Sequence, residues 1–127
     1  MNKTILSAFN NTLNMFIQEL INSYPQEREF VLFKNTISLI RKANPKKILV
    51  LFNNYIEPYV NNIKNKNEVF FLNETYSDLV EENIKDTNNA WRFIDNLKQY
   101  WKNTSEINKN IIWKYLNTLI TLSEKYE

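Results

Sequence analysis

The sequence contains no glycine, no cysteine and no histidine among its 127 residues, although a globular protein of this length ordinarily has about nine glycines. Glycine-rich phosphate-binding loops are excluded, because their backbone needs residues without a Cβ. Disulfides, zinc sites, thiol nucleophiles and histidine-dependent triads are excluded as well. Carboxylate catalysis needs none of these residues, but no spacing of Asp and Glu selects a catalytic pair. We therefore predict a protein that is not an enzyme and takes neither a cofactor nor a small-molecule substrate.

Long apolar runs are also missing. The densest, at 48–52, is far shorter than the roughly 18–20 residues of a membrane span, and the first residues lack the apolar core of a signal peptide. The chain is 43% hydrophobic with a formal net charge of +2, a balance typical neither of disorder nor of a strongly basic protein. We predict one domain over residues 1–127 that is soluble, intracellular and not bound to a membrane.

Asparagine, isoleucine and lysine dominate what is present, with 22, 14 and 13 residues. Their codons are AT-rich, so the bias is typical of an AT-rich genome. Apolar residues recur at intervals of three and four almost throughout, which is the spacing of one helix face. The first stripe consists of Ile5, Phe9, Leu13, Phe16, Ile17, Leu20, Ile21 and Tyr24. The pattern has no fixed repeat and no linker, and it predicts an all-α fold, an irregular bundle of five to seven helices.

The predicted helix ends are marked by proline, asparagine and hydroxyl side chains. Pro25 ends the first helix, because the residue before a proline avoids the helical conformation. Asn44 can cap the third helix, with Pro45 as its first residue. Thr104 and Ser105 are placed to cap the last helix. Without glycine, we expect asparagine to supply any left-handed position after a helix.

Pro58 lies inside the third helical stripe. Proline removes one backbone hydrogen bond and clashes with the carbonyl four residues back, so we expect a kink or a break near Asn54 and Tyr55. Residues 48–52 could alternatively form a buried strand. No second strand-like segment is present to pair with them, and the helix is therefore favoured.

Four basic residues surround the expected corner, namely Arg41, Lys42, Lys46 and Lys47. Cations at a helix C-terminus offset its partial negative charge, which suits Arg41 and Lys42. Lys46 and Lys47 follow at a helix N-terminus, where that explanation fails. The corner is a solvated surface, a contact for a protein partner, or a contact for the phosphate backbone of a nucleic acid. The last would make the protein a nucleic-acid-binding accessory factor.

The acidic residues concentrate at 67–90, which carries a net charge of −5. Glu74, Asp78, Glu82 and Asp86 are spaced by four and would share one helix face. Such a row can bind Mg²⁺ or Ca²⁺ through oxygen ligands, but no second acidic row completes a site. We therefore favour a solvated or partner-facing patch and predict no metal site.

Aromatic residues make up 14% of the chain, which is more than a small core readily encloses. Exposed aromatic side chains are favoured anchors for protein partners. Our principal hypothesis is a non-enzymatic interaction protein that docks a protein partner, or a second copy of itself, through Phe70, Phe71, Trp91 and Trp113. A bulky aromatic core that compensates for the scarcity of small residues is the alternative.

Several segments resemble a small helical protein family of the nucleocytoplasmic large DNA viruses, also called giant viruses. They are Ala43-Asn44-Pro45-Lys46-Lys47, Asn67-Glu68-Val69-Phe70-Phe71-Leu72, and Tyr100-Trp101 with Ile112-Trp113-Lys114-Tyr115-Leu116. The resemblance spans roughly residues 9–122 and rests on hydrophobic and turn positions, so it assigns no functional residue. It implies a viral protein of the host cytoplasm or viral factory, with a minor structural component of the virion as a further option.

Overall fold

The computed structural model describes residues 2–67, 101 and 103–126, which are mostly helical and contain no β-strand. The elements are α1 (Asn2–Ser23), α2 (Arg28–Ala43), α3 (Pro45–Ile56), the short α4 (Val60–Lys64) and α5 (Glu106–Lys125), with a 3₁₀ turn at Glu57–Tyr59 between α3 and α4. The all-α prediction is confirmed for this part of the chain. The total of five to seven helices stays a prediction, because residues 68–100 lie outside the described residues.

One apolar core joins these helices. α1 lies at its centre and contacts α2, α3 and α5. The predicted stripe of α1 faces this core, where Phe9, Leu13, Phe16, Ile17 and Leu20 are buried. Each such side chain contributes about 1.5–3 kcal/mol through its removal from water, so packing of this face holds α1 in place.

The α1–α2 turn forms where Pro25 predicts it. The backbone N–H of Tyr24 donates to Leu20 O (2.8 Å), and that of Glu27 donates to Tyr24 O (3.0 Å). The hydroxyl groups of Tyr24 and Thr104 lie 2.7 Å apart and are hydrogen-bonded. Ser105 caps α5, its Oγ accepting from the N–H of Asn108 (3.2 Å). The predicted cap is confirmed, and the Tyr24–Thr104 bond links the beginning of α5 to the α1–α2 turn.

The α2–α3 corner also forms as predicted, with Pro45 as the first residue of α3. Asn44 is extended, the conformation favoured before a proline. Its N–H donates to Ile40 O (2.7 Å) and its carbonyl accepts from the N–H of Lys47 (3.1 Å), so the backbone rather than the side chain closes the corner. Asn10 of α1 is buried and links α1 to this corner, because its Nδ2 donates to Pro45 O (3.2 Å).

The structure corrects two expectations about α3. The break caused by Pro58 lies at Glu57–Tyr59 rather than near Asn54 and Tyr55. Pro58 occupies the first turn of the 3₁₀ segment, where its missing N–H has no helical partner to lose, so α3 can continue to Ile56. The strand alternative for 48–52 is wrong, since these residues lie inside α3.

The end of α4 corrects a third expectation. Lys66, rather than an asparagine, adopts the left-handed conformation, with φ of 53°. Its N–H donates to Ile63 O (3.1 Å), and the N–H of Asn67 donates to Asn62 O (2.8 Å). This pair of bonds is the Schellman motif, which glycine usually completes. Lysine carries a Cβ that makes the left-handed conformation unfavourable, and the surrounding hydrogen bonds hold it there.

Candidate nucleic-acid interface

The α2–α3 corner brings the four predicted basic residues together at one end of the helix pair. We refer to Arg41, Lys42, Lys46 and Lys47 as the basic corner. The three lysines are exposed, whereas Arg41 is half-buried and donates from Nη2 to Asn11 Oδ1 (3.0 Å). Arg41 is therefore anchored to α1, and the lysines present their ammonium groups to solvent.

The charges of the basic corner differ in their effect on the fold. Arg41 and Lys42 lie in the last turn of α2, where a cation offsets the negative end of the helix dipole. Lys46 and Lys47 lie in the first turn of α3, which has no acidic residue. Within the described part of the chain no carboxylate pairs with either lysine. Two positive charges at the positive end of a helix oppose its stability, so their role is not explained by helix capping.

Lys46 connects the basic corner to the end of α5. Its Nζ lies 5.9 Å from the ring centroid of Tyr126, which is the C-cap residue of α5. This is a cation–π contact, and it brings exposed Lys125, the neighbour of Tyr126, towards the corner. The sequence could not indicate this juxtaposition, because about eighty residues separate the two segments.

A second basic surface lies between the end of α4 and one face of α5. We refer to this open cleft of about 780 Å³ as the lysine groove. Its lining consists of Lys64, Lys66, Asn110, Lys114, Asn117, Thr118, Thr121, Leu122 and Lys125. Sequence reasoning missed it, although the polar residues at 110, 114, 117, 118, 121 and 125 recur with helical spacing and indicate a polar face of α5.

Trp113 is the one proposed aromatic anchor within the described residues, and the structure corrects its assignment. It is only 4% exposed and packs edge-on against buried Trp101, with ring centroids 5.3 Å apart. Its apolar ring is stabilised by burial in the core, so it offers no anchor on this surface. The other three proposed anchors, Phe70, Phe71 and Trp91, lie outside the described residues.

The large apolar side chains that the described residues do expose are aliphatic. They are Met15, Val31, Leu32, Leu39, Val50 and Ile107. Leu32 and Leu39 are seven residues apart on α2 and share its outward face. Exposed aliphatic residues of this kind are ordinary on protein surfaces and do not define a docking site.

The acidic row of Glu74, Asp78, Glu82 and Asp86 also lies outside the described residues. Within residues 2–67, 101 and 103–126, no group of three or more acidic side chains is arranged to hold a metal ion. No helix in the same residues is long and apolar enough to cross a membrane.

Tyr115 has a perturbed pKa. Burial raises the pKa of its phenol above the ordinary value of 10.0, and the negative charge of Glu19 raises it further. The ring stacks on Phe16 with centroids 5.1 Å apart. An acid that is harder to ionise is not an activated nucleophile, so this environment indicates a packing role.

Comparison of the chain with protein-family models, curated proteins and solved structures finds no match. The resemblance to a family of large DNA viruses therefore stays a prediction.

Proposed function

We propose that the protein is a non-enzymatic binding protein that contacts the phosphate backbone of a nucleic acid through its basic corner. The observation that carries this proposal is the exposure of Lys42, Lys46 and Lys47 together, with no carboxylate partner in the described residues. Lysine ammonium groups bind phosphates and release the counterions condensed on the nucleic acid, which gives a favourable entropy of association.

The position of Lys46 and Lys47 strengthens the proposal. Both charges are unfavourable for α3, because they repel the partial positive charge at its N-terminus. A phosphate at the same place is attracted both by the lysines and by the helix end. Lys46 and Lys47 at the N-terminus of α3 therefore reduce the stability of the free protein but favour binding of an anionic partner.

The distribution of charge over the molecule is consistent with this function. The described residues contain twelve lysines and arginines against six glutamates, whereas 67–90 has a net charge of −5. The described residues are therefore more basic than the overall charge of +2 suggests. Local clusters of positive charge, rather than the total, determine how many phosphates a surface contacts.

Docking of a protein partner or a second copy through Phe70, Phe71 and Trp91 stays our prediction for the remaining aromatic residues. Origin in a large DNA virus, residence in the host cytoplasm or viral factory, and a minor structural role in the virion stay predictions as well. The burial of Trp113 reduces the proposed aromatic patch and leaves the basic corner as the better supported interface.

The decisive experiment measures nucleic-acid binding at increasing salt. We expect a labelled single strand or duplex to bind at about 50 mM salt. For four phosphate contacts, the logarithm of affinity should fall by about 2.8 per decade of salt for the single strand and about 3.6 for the duplex. The double variant Lys46→Gln and Lys47→Gln should reduce either slope by about one and a half.

The chain offers a matched control in Lys3 and Arg28. Both are exposed and lie in the first turn of a helix, as Lys46 and Lys47 do. Changing this pair to glutamine removes the same charge from the same kind of position. Equal weakening by the two double variants, or no binding at low salt, would overturn the proposal.

A further inference from the structure

The lysine groove places four exposed ammonium groups around one cleft. Lys64 and Lys66 come from the end of α4, and Lys114 and Lys125 come from α5. The two lysines of α5 are eleven residues apart, or about 16 Å along the helix axis. Only Lys64 has a carboxylate partner in the described residues, with Nζ 3.2 Å from Glu124 Oε1.

Lys66 points to a role for this charge beyond folding. It occupies the left-handed position at which glycine or asparagine fits with least strain. Its side chain forms no ion pair in the described part of the chain and lines the groove. Lysine at this position therefore adds no ion pair to the described part of the fold, whereas its ammonium group could donate hydrogen bonds to an anionic ligand.

The exposed face of α5 between Lys114 and Lys125 has a defined hydrogen-bonding character. The hydroxyl groups of Thr118 and Thr121 donate to backbone carbonyls one turn earlier, at 2.8 and 2.9 Å. Asn117 Nδ2 donates to Ile63 O (3.2 Å) and Trp113 O (2.9 Å). Because these hydrogens are already used, the side chains offer oxygen acceptors to a ligand.

The groove thus combines lysine donors with hydroxyl and amide oxygen acceptors on one exposed face of α5 and at the end of α4. A complementary ligand carries anionic oxygens for the lysines and N–H groups for the threonine and asparagine oxygens. A single nucleic-acid strand has this character, with phosphates on one side and the amino and imino groups of unpaired bases on the other. A duplex offers less of this character, because base pairing engages the imino groups and one hydrogen of each amino group, and the remaining N–H groups lie inside the grooves.

The groove and the basic corner approach each other at the C-terminal end of α5. Lys125 lines the groove, its neighbour Tyr126 contacts Lys46, and Lys46 belongs to the corner. A strand that contacts the corner at Lys46 therefore lies next to the end of α5, where the groove begins.

We propose that the lysine groove is a second site for the same nucleic acid, which binds a single strand with its phosphates on Lys66, Lys114 and Lys125 and its bases towards Thr118 and Thr121. This inference rests on the proposed function of the basic corner. It adds the class of ligand, single-stranded RNA or DNA, and a path for the strand across the molecule.

The first experiment compares strands of about 6 and about 18 nucleotides. Wild-type protein should bind the longer strand more tightly, because only the longer one fills both sites. Changing Lys114 and Lys125 to glutamine should remove most of this gain and lower the salt slope by about 1.4, while binding of the short strand is retained. The Lys3 and Arg28 double variant should retain the gain.

The second experiment tests the hydroxyl acceptors of α5. The double variant Thr118→Val and Thr121→Val keeps the shape and all charges but removes the two hydroxyl acceptors. Wild-type protein should prefer a base-bearing strand to an abasic strand of equal length, and the variant should lose this preference. Circular dichroism verifies that the variant is folded.

The outcomes separate the groove from the corner. If the corner variant weakens binding and the groove variants do not, the groove inference fails while the proposed function stands. If neither weakens binding, both fail. Equal competition by polyglutamate of matched charge, or equal affinity for duplex, would also overturn the groove as a single-strand site.

Discussion

The core around α1 differs from the two lysine surfaces, the basic corner and the lysine groove, in how its side chains affect stability. In the core, Phe16 and Trp113 are buried and contact other rings, and this packing stabilises the folded state. At the surfaces, Lys47 opposes a helix dipole and Lys66 occupies an unfavourable backbone conformation. The first region is arranged to stabilise the fold, and the second accepts small losses of stability to present charge.

Substitutions in these two regions should separate folding from binding. Variants of the core should lose both together, because the surfaces depend on the helices beneath them. Variants of the exposed lysines should lose binding while stability is unchanged or increases. This contrast can be tested with single substitutions whose expected effects span a wide range.

Trp113→Ala should have the largest effect. Removing the indole from its contact with Trp101 leaves a cavity, and the free energy of unfolding should fall by about 3–5 kcal/mol. Urea unfolding followed by circular dichroism measures the loss, and Trp113→Phe should lose less. A Trp113→Ala variant of native stability would show that the side chain does not support the core and would restore it as a candidate anchor.

Lys47→Gln should increase stability. It removes a positive charge from the first turn of α3, which should raise the free energy of unfolding by about 0.3–1 kcal/mol at low salt. Lys46→Gln should gain less, because it also removes the contact with Tyr126, and such contacts contribute about 0.5–1 kcal/mol at exposed sites. Thermal unfolding at low and high salt compares the two. A loss of stability in Lys47→Gln would contradict the idea that the charge of Lys47 destabilises the first turn of α3.

Lys66→Gly should give a smaller gain, of about 0.5 kcal/mol. The left-handed conformation costs a residue with a Cβ about 1–2 kcal/mol, and the greater freedom of glycine in the unfolded chain offsets part of the difference. Lys66→Gln is the matched control, since it removes the same charge but keeps the Cβ. Chemical denaturation should rank glycine above glutamine. The reverse order would mean that the Schellman conformation does not form in solution.

Tyr115→Phe should have the smallest effect, confined to high pH. The folded protein retains the Tyr115 proton at a pH where the unfolded chain loses it, so the stabilisation is complete below about pH 10 and is lost as the pH rises through the folded-state pKa. Between about pH 9 and pH 11, wild-type protein should therefore lose more stability than the variant. The variant keeps the ring that stacks on Phe16. Equal losses in both proteins would show that Tyr115 does not contribute.

Local sequence features predicted much of the helical fold. Pro25 and the pair Asn44 and Pro45 mark two helix junctions, and Ser105 caps α5, because a proline ring or a hydroxyl acceptor acts on its own turn of backbone. The same locality explains the error at Pro58. Pro58 occupies the first turn of the 3₁₀ segment, so the break falls at Glu57–Tyr59 and α3 continues to Ile56.

The candidate site was predictable only in part. The four residues of the basic corner are within seven positions of one another, so sequence alone brings them together. The lysine groove joins residues 64–66 to 114–125, and sequence spacing contains no information about that approach. Asn10 was missed because one asparagine among 22 has no distinguishing pattern until its Nδ2 is found on Pro45 O.

The amino-acid composition alone limits the chemistries open to the protein. The missing glycine, cysteine and histidine exclude several classes of site, and the apolar periodicity establishes helices, because both properties belong to single residues or to one turn of chain. Tertiary structure decided which side chains reach solvent. It buried Trp113 against Trp101 and left Lys66, Lys114 and Lys125 around one cleft, since burial and proximity arise from contacts between distant segments.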